Sequence, residues 1–246
     1  MHYQKPVKLL TLLSFACWTC FLLTACKKDK AQEEEEEPGT NKITLTKAAD
    51  ARGDWTLYLD AASADRPGIW ADINNNRVKD NGESIAKFGS EYANRNSFSA
   101  GASKTIGLYG RVTIFYCHDN ELTTLDVSKS DALVELYCMG NRLTTLDVSK
   151  NTALEKLSCF GNNLTALNLS GNTKIKSVQA YGNQISAANM TLLINSLPAR
   201  QAADDARLYV RQVSDNNSRP TATDIAAAKT KNWKLYALEG AGWTEL

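Results

Sequence analysis

The chain is 246 residues long, which allows one or two domains, and it is 43% hydrophobic and 22% charged, as folded proteins are. It carries 28 basic and 27 acidic residues, so its formal net charge is only +1. This balance excludes the strong basic field that attracts nucleic acid, and an equally strong acidic field.

Residues 1–25 are predicted to be a lipoprotein signal peptide. A short basic segment, MHYQKPVK, precedes the apolar run LLTLLSFACWTCFLLTA, which is as long as the hydrophobic region of a signal peptide. The run leads into LTAC, which resembles the bacterial lipobox and implies lipidation of Cys26. The alternative is an uncleaved membrane anchor, since about 17–25 apolar residues can span a bilayer.

Residues 26–40 are predicted to be an acidic flexible tether. The stretch KKDKAQEEEEEPGT is too charged to bury a core and should remain solvated. Lysines followed by acids after a lipobox cysteine also resemble the surface-export signal of Bacteroidetes lipoproteins. This resemblance implies a protein anchored in the bacterial outer membrane and exposed at the cell surface. A linker that faces the periplasm is the alternative.

Residues 41–103 are predicted to be a small β domain. The stretches KITLTK, DWTLYLDAA and GIWADI alternate apolar and polar residues, and turn residues separate them. We expect this domain to act as an N-terminal β cap for the segment that follows.

Within this region, DINNNRVKDNGE has the spacing of an EF-hand-like calcium loop. Hard cations prefer the oxygen ligands that such a loop supplies, including one backbone carbonyl. Against this prediction, Arg77 stands where the turn normally requires glycine, and a polar β-turn is the alternative. The predicted calcium ligands are Asp72, Asn74, Asn76, the carbonyl of Val78, Asp80 and Glu83.

Residues 104–185 repeat with a period of 21 residues, as the near-copies LTTLDVSKSDALVELYCMGNR and LTTLDVSKNTALEKLSCFGNN show. A fixed period of this size predicts a solenoid, in which each coil buries its apolar side chains against those of the next. The positions in register include Cys117, Cys138 and Cys159; Asn120, Asn141, Asn162 and Asn183; and Leu125, Leu146 and Leu167.

The motifs LVELYCMGNRL and LEKLSCFGNNL, each paired with LTTLDVSKN or LTTLDVSKS, resemble the leucine-rich repeat. The closest resemblance is to the bacterial 21-residue class called IRREKO, which is related to internalin-type repeats. It implies a leucine-rich repeat solenoid that is mainly β. The copies weaken towards both ends of the segment.

Residues 186–246 are predicted to be a C-terminal α/β cap. Ser186 is a candidate N-cap for a helix that stops before Pro198. ARLYVRQV reads as a strand, TATDIAAAKTKNW as a second helix and KLYAL as a last strand. Such a strand-helix-strand unit should extend the sheet in parallel.

The residues that flank the buried strand positions should point outwards from the solenoid. They form two columns with many aromatic side chains, which indicates a contact surface for a protein or for sugars. The alternative is that the rings only stabilise the sheet. The predicted ligand-binding face is Tyr116, His118, Tyr137, Met139, Phe160, Gln179 and Tyr181.

No catalytic residues are predicted. Once the signal peptide is removed, His118 is the one histidine left, and no Walker or Rossmann glycine motif occurs. The cysteine column is interpreted as core, because three thiols lack the fourth ligand of a zinc site. Asp126 and Asp147 are interpreted as parts of a solvated scaffold.

We therefore expect a lipid-anchored surface protein, not an enzyme, that uses its repeat face for non-covalent protein recognition or adhesion. The resemblance to internalin-type repeats implies this role, although fold alone does not fix function. Glycan binding in nutrient capture and a structural role in the envelope are the alternatives. No cofactor is expected apart from calcium in the loop described above, and no nucleic-acid partner.

Overall fold

The computed structural model of the protein describes residues 41–99, 103–212, 216–239 and 242–246. The predicted signal peptide, the lipidated Cys26 and the tether lie outside these residues. Within the described ranges, no helix is both long enough and apolar enough to cross a bilayer.

Short β-strands make up most of the regular structure. Their bounds in chain order are β1 (Lys42–Lys47), β2 (Trp55–Asp60), β3 (Trp70–Asp72), β4 (Asn96–Phe98), β5 (Thr105–Tyr109), β6 (Ile114–Tyr116), β7 (Leu122–Lys129), β8 (Glu135–Tyr137), β9 (Lys156–Ser158), β10 (Ser177–Gln179), β11 (Ala206–Gln212), β12 (Trp233–Glu239) and β13 (Gly242–Glu245). The α-helices are α1 (Ala187–Ser196) and α2 (Ala222–Thr230), with 3-10 turns at Arg66–Gly68, Tyr92–Asn94 and Ala202–Asp204.

One long sheet has the strand order β13-β12-β11-β10-β9-β8-β6-β2-β4. The strands from β6 to β12 in this sheet run parallel, whereas β2, β4 and β13 pair antiparallel at its two ends. Phe115, Leu136, Leu157 and Val178 are successive partners across β6, β8, β9 and β10. The 21-residue period of the sequence is therefore the period of a stack of coils that resembles a leucine-rich repeat, as predicted.

A single hydrophobic core runs through the coils. Leu125, Leu146 and Leu167, one from each of three successive coils, are all buried in it. Backbone hydrogen bonds also join neighbouring coils. For example, the Arg142 amide donates to the Leu122 carbonyl at 2.8 Å. No coil could bury its apolar side chains alone, so the stack stabilises every member.

Buried asparagines bridge neighbouring coils. The Nδ2 of Asn162 donates to the carbonyls of Cys138 at 3.0 Å and Cys159 at 3.1 Å, and its Oδ1 accepts from the Leu143 amide at 3.1 Å. Because a buried amide needs such partners, each asparagine of this ladder fixes the distance between two coils.

The amide ladder continues beyond the repeats at both ends. Asn120 accepts from the amide of Thr56 at 2.9 Å and donates to the carbonyl of Thr56 at 2.7 Å, which attaches β2 to the first coil. At the other end, Asn217 donates to the Ala180 carbonyl at 2.9 Å and accepts from the Ile185 amide at 2.9 Å. The segment before α2 is thereby held on the last coil.

A second sheet, in the order β3-β5-β1-β7, lies at the N-terminal end. The prediction that the first repeat begins at residue 104 is wrong for Thr105–Tyr109, because β5 pairs antiparallel with β1 and β3. Its buried Ile106 and Leu108 join the core from this second sheet, and the first strand of the coil stack is β6.

The C-terminal segment combines α1 and α2 with β11, β12 and β13. The Ser186 hydroxyl caps α1 by accepting from the Asn189 amide at 3.3 Å, and α1 ends before Pro198. β11 and β12 extend the long sheet in parallel with α2 between them. The prediction that KLYAL is the last strand is wrong, because β13 follows and pairs antiparallel with β12.

We expect Asn162→Ala to lower the free energy of unfolding by about 3 kcal/mol, because it leaves the buried Leu143 amide without a partner and removes one of the two side-chain donors from each of the Cys138 and Cys159 carbonyls. Urea denaturation measures this change. The neighbouring Asn163→Ala is the control, since Asn163 is less buried and shares one hydrogen bond with Gln184. Equal effects of the two substitutions would contradict the bridging role of Asn162.

Candidate functional site

The strands of the long sheet direct alternate side chains to opposite sides. In β8, Leu136 is buried in the core, whereas the flanking Glu135 and Tyr137 are partly exposed. β6 and β10 show the same alternation, whereas in β9 the outward Ser158 is also buried. We call the outward side the aromatic face, and it comprises Tyr58, Tyr116, His118, Tyr137, Met139, Ser158, Phe160, Gln179, Tyr181, Tyr209, Tyr236 and Trp243.

One row of this face crosses seven strands of the sheet. Its successive strand partners are Tyr58, Tyr116, Tyr137, Ser158, Gln179, Tyr209 and Tyr236.

The tyrosines of this row form a stack on each side of its centre. The Tyr116 and Tyr137 rings lie 4.2 Å apart between centroids and 2° from parallel, and those of Tyr209 and Tyr236 lie 5.0 Å apart and 20° from parallel. These spacings are close to the distance of about 4.8 Å between strands, so the rings stand side by side on the sheet. Stacked rings cover one another's faces and leave their edges and hydroxyl groups for a ligand.

A second row runs along the strand ends. Phe160 and Tyr181 stack at 4.5 Å, and His118 stacks on Tyr58 at 5.6 Å. Trp243 comes from β13 and packs edge-on against both Tyr181 and Tyr209, with 4.9 Å between centroids in each case. β13 therefore adds a ring to the aromatic face, to which the repeats also contribute.

Between the two tyrosine stacks, the first row contains small or polar side chains. The Ser158 hydroxyl donates to Oε1 of Gln179 at 2.9 Å. Three strand spacings, or about 14 Å, separate Tyr137 from Tyr209. This polar stretch interrupts the row of rings, and Ser158 within it is only 2% exposed.

Paired charges border the aromatic face. Lys156 contacts Glu135 at 2.8 Å, and the Tyr137 hydroxyl donates to Glu135 at 2.8 Å. Burial and then this hydrogen bond raise the pKa of Tyr137, and burial raises the pKa of Tyr181. Both phenols therefore remain neutral hydrogen-bond donors at neutral pH.

The structure brings all seven predicted face residues onto one surface, but the sequence reading missed Tyr58, Tyr209, Tyr236 and Trp243. These four residues lie outside the 21-residue register, so periodicity gave no sign of them. The alternation in WTLYLD, ARLYVRQ and WKLYALE was the available signal, since each stretch has a tyrosine as its fourth residue.

In the predicted calcium loop, backbone amides donate hydrogen bonds to carboxylates of the same loop. Asp72 and Glu83 are 0% and 1% exposed. The two oxygens of Asp72 accept from the amides of Asn76 at 3.1 Å and Arg77 at 3.0 Å, and Oε2 of Glu83 accepts from the Asp80 amide at 2.7 Å. The loop therefore has a defined shape, and its two ends are anchored in the protein.

The side-chain amides of the loop point their nitrogens inwards. Nδ2 of Asn74 and of Asn76 donate to Oδ2 of Asp80 at 2.8 Å and 2.7 Å. Arg77 has a φ of 64°, so it adopts the left-handed conformation for which a calcium loop normally uses glycine. In the described part of the chain, no three His, Cys, Asp or Glu side chains are grouped so as to hold a metal ion.

The cysteine column lies in the core, as predicted. Cys117, Cys138 and Cys159 are free thiols with no exposed surface, and Ala180 takes the same place in the next coil. Burial raises the pKa of all three thiols, that of Cys159 to about 12. These cysteines are therefore unreactive packing residues.

Asp126 and Asp147 are exposed, as a solvated scaffold requires. Each accepts from a backbone amide two residues ahead, that of Ser128 at 2.9 Å and that of Ser149 at 2.8 Å. They shape the turns of the coils.

No protein-family model matches the chain, and no curated protein matches it. Among solved structures, it is similar to the functional domain of InlJ from Listeria monocytogenes, which includes a cysteine ladder, with 20% identity, a TM-score of 0.37 and coverage of 52% of this chain and 31% of that one. It is also similar to an internalin, InlF, from Listeria monocytogenes str. 4b F2365, with 15% identity, a TM-score of 0.30 and coverage of 51% and 46%. The chain thus spans less than half of either protein, and the repeat architecture rests on the strand register alone.

We expect the stability of the protein to fall as the pH rises above about 9. The thiols ionise near 9.0 in the unfolded chain and, for Cys159, near 12 in the folded one, so the unfolded state binds fewer protons in this range. At a pH of about 10.5, the Cys159 thiol alone lowers the free energy of unfolding by about 2 kcal/mol. Urea denaturation at several pH values measures the slope.

Cys159→Ala isolates this effect, because the neighbouring coil already carries alanine at the same position. The variant should lose less stability between neutral pH and a pH of about 10.5 than the parent chain, by about 2 kcal/mol. Ser158→Ala is the control and should leave the slope unchanged. Identical slopes for Cys159→Ala and the parent would show that this thiol is not held protonated by burial.

Proposed function

We propose that the protein acts by non-covalent recognition and that the aromatic face binds a protein partner. The observation that carries the proposal is the array of partly exposed tyrosine, phenylalanine, methionine and tryptophan side chains across the long sheet. Aromatic residues and methionine are enriched at the centre of protein interfaces, and polar residues form the rim. The paired charges at Glu135 and Lys156 supply such a rim here.

The ring orientation favours a protein over a glycan. A sugar packs flat against the open face of an aromatic ring, whereas each stacked pair in this array covers one face of both of its rings. Ring edges suit the mixed apolar and hydrogen-bonded contacts of protein interfaces. Glycan binding in nutrient capture is the second candidate, and the second face of each ring, which the stacking does not cover, favours it.

A structural role in the envelope is the third candidate. Stacked rings across strands stabilise a sheet even when nothing binds to them. This role predicts that removing a ring lowers stability and has no other consequence, so binding and stability have to be measured on the same variants.

The proposal includes presentation at a bacterial cell surface through a lipid on Cys26. Support comes from the LTAC sequence and from the charged stretch after it, which follow an apolar run of signal-peptide length. An anchored protein would reach its partner across the tether of residues 26–40.

We further propose that the loop from Asp72 to Glu83 takes up calcium. The support is a loop whose backbone amides already bind the carboxylates of Asp72 and Glu83, with Arg77 in the left-handed conformation. To supply oxygen ligands, Asn74 and Asn76 would have to exchange the positions of their amide oxygen and nitrogen. We therefore expect affinity in the range of extracellular calcium modules, on the order of 10⁻⁴–10⁻³ M.

Arrays of immobilised proteins and glycans test the main proposal. The chain should bind one or more proteins, and the double variant Tyr137→Ala with Phe160→Ala should bind them about tenfold more weakly or worse, since it removes rings from the middle of the face. The matched control is Thr124→Ala with Thr145→Ala, two exposed positions elsewhere on the coils, which should bind as the parent does.

Thermal unfolding of the same variants separates binding from folding. Unchanged protein binding by the folded Tyr137→Ala, Phe160→Ala variant would contradict the proposal. Binding to glycans alone would favour the second candidate, and stability loss with no ligand on either array would favour the structural role.

Calorimetric titration with calcium chloride tests the loop. We expect heat of binding at millimolar calcium, and its loss in Asp72→Asn and in Glu83→Gln, because each substitution removes one carboxylate charge from the loop. Asp131→Asn, an exposed position on a distant turn, is the control and should bind calcium as the parent does. The same heat in all four proteins, or none in the parent, would exclude calcium binding in this loop.

A further inference from the structure

The turn between β1 and β2 displays Arg52, Gly53 and Asp54 in that order at the protein surface. All three residues are exposed. Gly53 has a φ of +91°, and no atom lies within 4 Å of the place where a Cβ would stand. This backbone conformation is one that glycine adopts without strain, and nothing packs over it.

A buried lysine holds the backbone of this turn from below. Lys47 is 5% exposed, and its Nζ donates to the carbonyls of Gly53 at 3.3 Å and Asp54 at 2.9 Å. The ammonium group also lies 4.6 Å from the centre of the Trp55 ring, so its charge is stabilised on that side too. The carbonyl groups of the turn are thereby fixed towards the protein interior.

The amide of Arg52 adds a second contact to the rest of the protein. It donates to Oε1 of Glu121 at 3.4 Å. The side chains of Arg52 and Asp54 are left for other uses, since neither forms an ion pair or a side-chain hydrogen bond among the described residues. The turn therefore presents one cation and one anion, two residues apart, on a backbone that is already held in place.

We propose that this turn is a second binding site, for a cell-surface receptor whose own site contains a bound divalent cation and a carboxylate. The carboxylate of Asp54 would complete the oxygen coordination that such a cation requires. The guanidinium group of Arg52 would pair with the receptor carboxylate, a geometry that arginine suits better than lysine does. The absence of a side chain at Gly53 lets the receptor approach the backbone between the two charges.

Preorganisation is what distinguishes this turn from an arbitrary Arg-Gly-Asp sequence. A flexible segment loses conformational freedom when it binds, and that loss weakens the complex. Here Lys47 already holds two carbonyls of the turn. The site uses no residue of the aromatic face, so it is independent of the function proposed above.

Attachment of cultured animal cells, which carry cation-dependent adhesion receptors, tests the proposal. Cells should attach to surfaces coated with the full chain when magnesium or manganese is present, and attachment should fall about tenfold or more with a chelator or with Asp54→Glu. Asp54→Glu keeps the charge but moves the carboxylate by one methylene group, which disturbs metal coordination. A soluble Arg-Gly-Asp peptide should compete.

The matched control exchanges the two charged residues, as Arg52→Asp combined with Asp54→Arg. This variant keeps composition and net charge, and it should fail to support attachment if the order of the charges is recognised. Its circular dichroism spectrum should match that of the parent, because both side chains are exposed.

Two outcomes would overturn the proposal: no cation-dependent attachment to the parent chain, or full attachment to Asp54→Glu and to the exchanged variant. The aromatic-face variant Tyr137→Ala with Phe160→Ala should support attachment as the parent does. If it alone loses attachment, the cells bind the aromatic face, and the turn has no part in it.

Discussion

The ladder of buried asparagine amides is the constraint on which the rest of the structure depends. Each amide satisfies polar groups of two successive coils, as Asn162 does with Cys138, Cys159 and Leu143. A coil with one residue more or fewer would displace its asparagine, break these hydrogen bonds and leave a buried amide such as that of Leu143 without a partner, at a cost of about 1–3 kcal/mol. The invariance of the 21-residue step follows from this cost, because apolar contacts alone tolerate small shifts.

The same register determines the chemistry of the outer surface. Successive coils place outward residues at the spacing of the strands, and aromatic rings at that spacing stack on one another, as Tyr116 and Tyr137 do at 4.2 Å. A solenoid that fills an outer column with rings therefore covers one face of each ring that has a stacked neighbour. The column is interrupted at Ser158 and Gln179, whose side chains are polar. The architecture itself thus decides which parts of each ring a ligand can reach.

The sequence predicted those parts of the molecule that repeat or that carry local signals. The 21-residue spacing identified the coils and seven residues of the face, and Ser186 marked the start of α1. The assignment of Thr105–Tyr109 failed because β5 finds its partners in β1 and β3, far away in the sequence. Tyr209 and Trp243 were missed for the same reason. They lie on strands outside the repeats, which sheet pairing adds to the face, and the 21-residue period does not include them.

The aromatic face and the Arg52–Asp54 turn are stabilised by different interactions, so substitutions in the two regions have different effects on the fold. The face depends on the register of the coils, so a substitution there alters a surface that seven strands share. The turn depends on Lys47, whose hydrogen bonds in the turn go to backbone carbonyls and not to side chains. Exposed residues on a backbone-anchored turn can therefore be exchanged at little cost in stability. The turn is the position in this fold where a new specificity could arise or disappear without disturbing the coil stack.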